Sequence, residues 1–152
     1  MTPRNKTADK TSEARPTLSA QTALVFCLLA VARADGPVGA RELDLIARLV
    51  KTPETDDTAS LALARELLGA EDGLESGLVL VCAALDAARR AQAYALAADF
   101  VMLNAQISPE EMRLLDILAE NFRLDPLTRA AIDTAAQIRL APKLTPELGH
   151  HD

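Results

Sequence analysis

Ala34-Asp35-Gly36-Pro37-Val38-Gly39-Ala40-Arg41-Glu42 decides how this chain folds. The stretch closes one apolar run and opens another. Gly36 supplies a residue free to adopt left-handed backbone, and Pro37 has no N–H with which to continue a helix. Glu42 then stands in the first turn of whatever follows, where a helix favours negative charge. The same punctuation returns as Leu103-Asn104-Ala105-Gln106-Ile107-Ser108-Pro109-Glu110-Glu111. Asn104 and Glu111 each stand 69 positions after Asp35 and Glu42. Two helix-turn-helix units of one design follow from that register.

The second corner explains itself locally. Ser108 as N-cap, Pro109 as first helical residue and Glu111 as third form a capping box. The hydroxyl takes one free N–H and the carboxylate reaches back to another. Ile107 and Met112 make the matching hydrophobic staple. The first corner repeats this with Gly39, Glu42, Val38 and Leu43 and lacks only the cap side chain. Each such cap contributes roughly 0.5–2 kcal/mol. Asp35 and Asn104 have a plain role too, because Asp and Asn tolerate left-handed backbone at a helix end.

Outward from the corners, 152 residues suffice for one domain with a real core. The chain is 49% hydrophobic but only 3% aromatic, so that core is made of Ala, Leu, Val and Ile. Ala and Leu favour helix, and no stretch alternates as a strand. The expected fold is all-α: about seven helices, with two pseudo-repeated helix-turn-helix units packed as a compact bundle. Residues 1–17 lack an apolar period and read as a disordered polar, basic tail. Residues 18–141 form the helical domain, and 142–152, with Pro142 and Pro146, a flexible tail.

Helix one, capped by Thr17 or Ser19 and running to about Arg33, shows Leu24, Cys27, Leu28 and Val31 as one buried stripe. Helix two buries Leu43, Ile46, Ala47 and Val50. A loop at Pro53 and the acidic residues 54–57 follows, with Asp57 or Thr58 as the next cap. Helix three turns Leu61, Ala64 and Leu68 inward. Helix four, after Asp72-Gly73, presents Leu74, Leu78, Val81, Cys82 and Leu85. Asp86 caps helix five, although four and five are also readable as one. Tyr94, Ala97, Ala98 and Val101 line its inner side. Helix six offers Met112, Leu115, Leu118, Ala119 and Phe122. Asp125-Pro126 opens helix seven, whose apolar stripe is Leu127, Ala131, Ala135 and Ile138.

The formal charge is −6, and residues 1–20 carry +2 of it through Arg4, Lys6, Lys10 and Arg15 against Asp9 and Glu13, leaving −8 for the rest. An acidic body repels phosphate backbones, which argues against nucleic acid as a partner. The basic start, the apolar run Ala23–Ala32 and Ala30-Val31-Ala32 imitate a signal peptide. The segment has an internal counterpart ending at Leu103, where no signal can be, so it reads as a folded helix. No apolar run approaches the ~20 residues that span a bilayer; peripheral membrane association stays compatible. Cys27 and Cys82 sit in apolar runs without CxxC spacing, and read as small core residues of a cytoplasmic protein.

Asp35 to Glu42 also matches the second half of an EF-hand calcium loop, with Gly at the sharp turn and Glu at the end. The positions for the first two ligands hold Val31 and Arg33, which excludes a standard EF-hand. If the two corners lie side by side, Asp35, Glu42, Asn104 and Glu111 converge, and a divalent cation such as Ca, Mg or Mn is the candidate ligand. Arg89-Arg90 reads as a solvated face, and His150-His151-Asp152 as incidental. No Ser/His/Asp or Cys/His set can be assembled, and no Gly-rich phosphate loop exists. No enzyme is expected.

At these residues the chain resembles the TerB-like family, the helical tellurite-resistance proteins, a module similar to the N-terminal domain of membrane-anchored DnaJ-like co-chaperones. The hallmark is Ala-Asp-Gly-x-[Val/Ile]-x-x-x-Glu after an alanine-rich helix, often twice. Ala34-Asp35-Gly36-Pro37-Val38 through Glu42 matches the first occurrence, and Ile107-Ser108-Pro109-Glu110-Glu111 the second, over roughly residues 19–140. The resemblance implies an all-α fold of about seven helices, no enzymatic activity, and a setting in tellurite and chemical-stress response. It also implies metal binding at Asp35, Glu42 and Glu111. Asn104-Ala105 departs from the family's Asp-Gly and removes one carboxylate. No DnaJ domain accompanies the module. The expected function is binding, with or without a divalent cation; a metal-free scaffold for a protein partner or homodimer is the alternative.

Overall fold

The computed structural model describes residues 17–50, 57–104 and 107–140, and every regular element among them is a helix. In chain order these are α1 (Ala20–Ala32), α2 (Ala40–Val50), α3 (Asp57–Gly69), α4 (Gly73–Ala84), α5 (Ala87–Leu103), α6 (Pro109–Phe122) and α7 (Pro126–Leu140). The seven form one all-α bundle, as an Ala- and Leu-rich chain without alternation requires. The expected C-terminal tail, all of the N-terminal tail but Thr17, the Pro53 loop, the side chains of Asp57 and Thr58, and His150-His151-Asp152 lie outside the described residues.

α1 is not a one-stripe helix. Thr22 to Ala32 are all buried except half-buried Leu24. No charged residue occurs between Ala20 and Ala32, so no face suits water, and such a helix belongs in the centre. It touches α2, α3, α4, α5 and α6. Ser19 is its N-cap, with Oγ accepting the Thr22 N–H at 3.0 Å. The buried Thr22 hydroxyl in turn donates to Ser60 Oγ on α3 at 3.3 Å. Among the described residues no buried side-chain N or O lacks a partner.

α4 crosses α1 at Gly77, where a Cβ would overlap the Phe26 ring. At Gly73, next to the left-handed Asp72 (φ 56°), a Cβ would strike the carbonyl oxygens of Leu67 and Leu68. α4 and α5 are separate helices. Leu85 between them is extended, and Asp86 Oδ1 accepts the Arg89 N–H at 2.9 Å. Arg90 is not on a solvated face. It is half-buried and donates to the carbonyls of Leu85 (3.0 Å) and Cys82 (2.6 Å), setting positive charge on the end of α4. Ala47, expected inside, is exposed, and so is Met112 at the lip of the bundle. Cys27 is buried, Cys82 half-buried, and both are free thiols. Burial pushes both thiols up in pKa.

α7 reverses its expected orientation. Leu127 and Ile138 are 81% and 77% exposed, and Ala131 and Ala135 are exposed with them. The face that packs on α5 instead carries Ile132 and Ala136, with half-buried Arg129 and Asp133. Tyr94 on α5 is fully buried and needs partners for its hydroxyl. The hydroxyl donates to Asp133 Oδ1 at 2.8 Å and accepts from Arg129 Nε at 3.0 Å. Arg129 also pairs with Asp116 on α6. Burial, then the Asp133 bond, push the Tyr94 pKa up to about 12. A polar network set the inner face, which apolar periodicity alone does not register.

Candidate functional site

The two corners meet in space. α2 and α6 start in register, at Ala40 and Pro109, 69 positions apart. The helices that enter the corners do not end in register. α1 stops at Ala32 and α5 continues to Leu103, two residues further than the repeat requires. Gly36 takes the bend of the first corner at φ +149°, a conformation that favours glycine. In the second corner Asn104 is itself the helix cap, with extended backbone, and Ala105 and Gln106 lie outside the described residues.

The helix-starting halves are alike. Gly39 N–H donates to Glu42 Oε1 at 2.9 Å, and Ser108 N–H donates to Glu111 Oε1 at 3.1 Å. Ser108 Oγ accepts the Glu111 N–H at 3.0 Å, completing the capping box that glycine cannot complete in the first corner. Their surroundings differ. Asp35 is exposed, Glu42 half-buried, and Glu111 only 1% exposed. Asn104 Nδ2 donates to Glu111 Oε2 at 2.6 Å, so both carboxylate oxygens of Glu111 already accept a hydrogen bond. Burial raises the Glu111 pKa. Bonds from Ser108 and Asn104 pull it down, and the nearby charges of Asp35 and Glu42 push it up further.

Between the corners lies a cleft of about 600 Å³. Asp35, Glu42, Asn104 and Glu111 all line it, so the four residues singled out by the repeat do converge. Arg41, Leu45 and Arg48 of α2 and Leu103 of α5 complete the wall. These four escaped the sequence reading. Arg41, Leu45 and Arg48 are spaced four and three apart, which is one face of a helix, and that spacing was the available signal. Arg48 lies 3.6 Å from Asp44 in an exposed pair.

With three carboxylates and two guanidinium groups, the cleft is of mixed charge rather than an acidic cage. Hard cations need six or more oxygens around them. Among the described residues no group of three or more His, Cys, Asp or Glu side chains is arranged to hold a metal ion. No described helix is long and apolar enough to cross a membrane. Among the described residues that line the cleft, none pairs a nucleophile with a base. Compared with known proteins, the chain matches no protein-family model, no curated protein and no solved structure.

Proposed function

We propose that this chain is a non-enzymatic, TerB-like helical module that works by binding, and that the cleft between its two corners is the binding site. The observation that carries the reading is the buried Glu111 carboxylate in the cleft wall, with Asp35 and Glu42 near enough to raise its pKa. A cationic ligand relieves that repulsion, and a divalent cation (Ca, Mg or Mn) is the first candidate. Asp35 is exposed and Glu42 uses one oxygen on Gly39, so each keeps acceptor capacity for such a ligand. The resemblance to the TerB-like family supports a setting in tellurite and chemical-stress response, and a cytoplasmic location goes with that reading.

Isothermal titration of Ca, Mg and Mn into the wild type and Glu42→Gln/Glu111→Gln tests the metal. Heat in the wild type that vanishes in the double variant is expected. Equal heats, or none, remove the cation from the proposal. A second reading then stands on its own observation: Ser108 and Asn104 already occupy both oxygens of Glu111, and Arg41 and Arg48 share the cleft. A wall of both signs suits a protein partner, and the module is then a metal-free interaction scaffold.

A further inference from the structure

Asp35 and Arg41 carry opposite charges into one cleft and do not pair with each other. Both are exposed, and neither forms a hydrogen bond or an ion pair among the described residues. Opposite charges left apart in this way are each open to a ligand. Their neighbours repeat the pattern. Glu42 gives Oε1 to the Gly39 N–H and keeps Oε2. Arg48 is held by Asp44 at 3.6 Å, in a pair whose side chains are 71% and 73% exposed, and so wet a pair holds an arginine weakly. Glu111 differs: both its oxygens are taken, so it adds negative field without offering a contact.

Apolar surface accompanies the charges. Arg41, Leu45 and Arg48 share one face of α2, so Leu45 stands between the two guanidinium groups along the helix. Leu45 is half-buried, and Leu103, contributed by α5, is 41% exposed. The volume of about 600 Å³ lies within the range of sites that enclose a small molecule or a few residues of peptide.

A wall of both signs selects by exclusion. A lone cation leaves Arg41 and Arg48 unanswered, and a lone anion leaves three carboxylates. A ligand with both charges, separated by an aliphatic group, meets a complement at each end and covers Leu45 and Leu103 between them. We propose that the cleft takes such an amphoteric ligand. Its ammonium or guanidinium group is set against Asp35 and Glu42, its carboxylate against Arg41 and Arg48, and its aliphatic part against the two leucines. This rests on the reading of the cleft as the binding site and deepens it to a class of ligand. A peptide stretch with a basic, an aliphatic and an acidic residue carries that chemistry, and so does a free aliphatic amino acid.

NMR titration of the full chain, followed at the amides of residues 35–48, tests it. The probes are the tripeptides Lys-Leu-Glu, Lys-Leu-Gln and Gln-Leu-Glu, each blocked at both ends, and free leucine. Lys-Leu-Glu binds about fivefold more tightly than either singly charged peptide, the upper end of what a partly exposed charge pair supplies. Arg41→Gln/Arg48→Gln lowers its affinity to that of Lys-Leu-Gln, and Asp35→Asn/Glu42→Gln to that of Gln-Leu-Glu. Added salt weakens it. Free leucine that binds as tightly as Lys-Leu-Glu identifies a free amino acid as the source of the chemistry, and weaker binding identifies a peptide. Equal affinities for the three peptides, affinities that both variants leave unchanged, or no binding by any probe overturn the proposal. The reading of the cleft fails separately. Heat from a divalent cation that Glu42→Gln/Glu111→Gln abolishes, beside no binding of any probe, keeps the cleft as a site and removes only the amphoteric ligand.

Discussion

Glu111 carries its charge in a wall from which water is largely excluded, and the N–H groups of Ser108 and Asn104 offset only part of the lost hydration. Its proton affinity is therefore higher in the folded chain than in the unfolded one. Between the raised folded value and the ordinary glutamate value of 4.5, the folded chain binds more protons. Stability from this group rises as pH falls through that window and declines as pH rises through it. Glu111→Gln abolishes the titration and keeps the shape; Asn104 can turn its amide to offer an oxygen to the new one. Thermal melts of both proteins, run from neutral pH down to the ordinary glutamate range, check the sign. The difference in melting temperature moves in favour of the wild type as pH falls. A difference constant with pH shows that Glu111 titrates as it does in a free peptide, and one moving the opposite way shows that its hydrogen bonds outweigh its burial. Glu111 itself was legible in the sequence, because Ser108-Pro109-Glu110-Glu111 is a local signal. Its burial was not, because the groups that cover it come from elsewhere in the chain.

Elements in this fold are set by where they touch, and α4 shows how far that overrides local preference. On helix propensity alone, Gly77→Ala stabilises α4 by roughly 1 kcal/mol. The new methyl group would occupy the space of the Phe26 ring, which is fully buried and has no room to retreat. Overpacking of that kind costs about 1–3 kcal/mol. The expected net result is a lower urea midpoint for Gly77→Ala, with part of the loss recovered when Phe26→Leu is added. A higher midpoint for the single variant would mean that α4 shifts off α1 at little expense. The contact joins positions 26 and 77, and no local pattern announces it. The same limit explains the other misreadings. Helices with one wet face, such as α2 and α6, were readable from their periods. α1 was read as a stripe because a helix buried on every side has no preferred face to detect. α7 was read inside out because its inward face is chosen by the Tyr94 hydroxyl and its partners, Arg129 and Asp133. The cleft was half legible: duplication identified Asp35, Glu42, Asn104 and Glu111. Arg41 and Arg48 required knowing which side of α2 faces α5.

In the molecule as a whole, α1 stands among five other helices while α7 packs chiefly on α5. These positions imply a gradient of local stability. Freeing α7 exposes Ile132, Ala136 and the Tyr94 network but leaves the rest of the bundle closed. Freeing α1 uncovers Phe26, Leu28, Leu29 and Val31, each almost wholly buried, and undoes the contacts of every neighbour at once. The amides of α1 therefore exchange only when the whole chain unfolds, and those of α7 exchange through smaller openings. Native-state hydrogen exchange with stepwise urea separates the two. Exchange free energies in α1 fall steeply with urea and extrapolate to the global unfolding free energy. Those in α7 are lower and nearly independent of urea at low concentrations. If α7 protects its amides as strongly as α1, then Tyr94, Arg129, Asp133 and Asp116 bind it into the cooperative core. The outward face of α7 would in that case belong to a wall as rigid as the centre rather than to a helix laid over it.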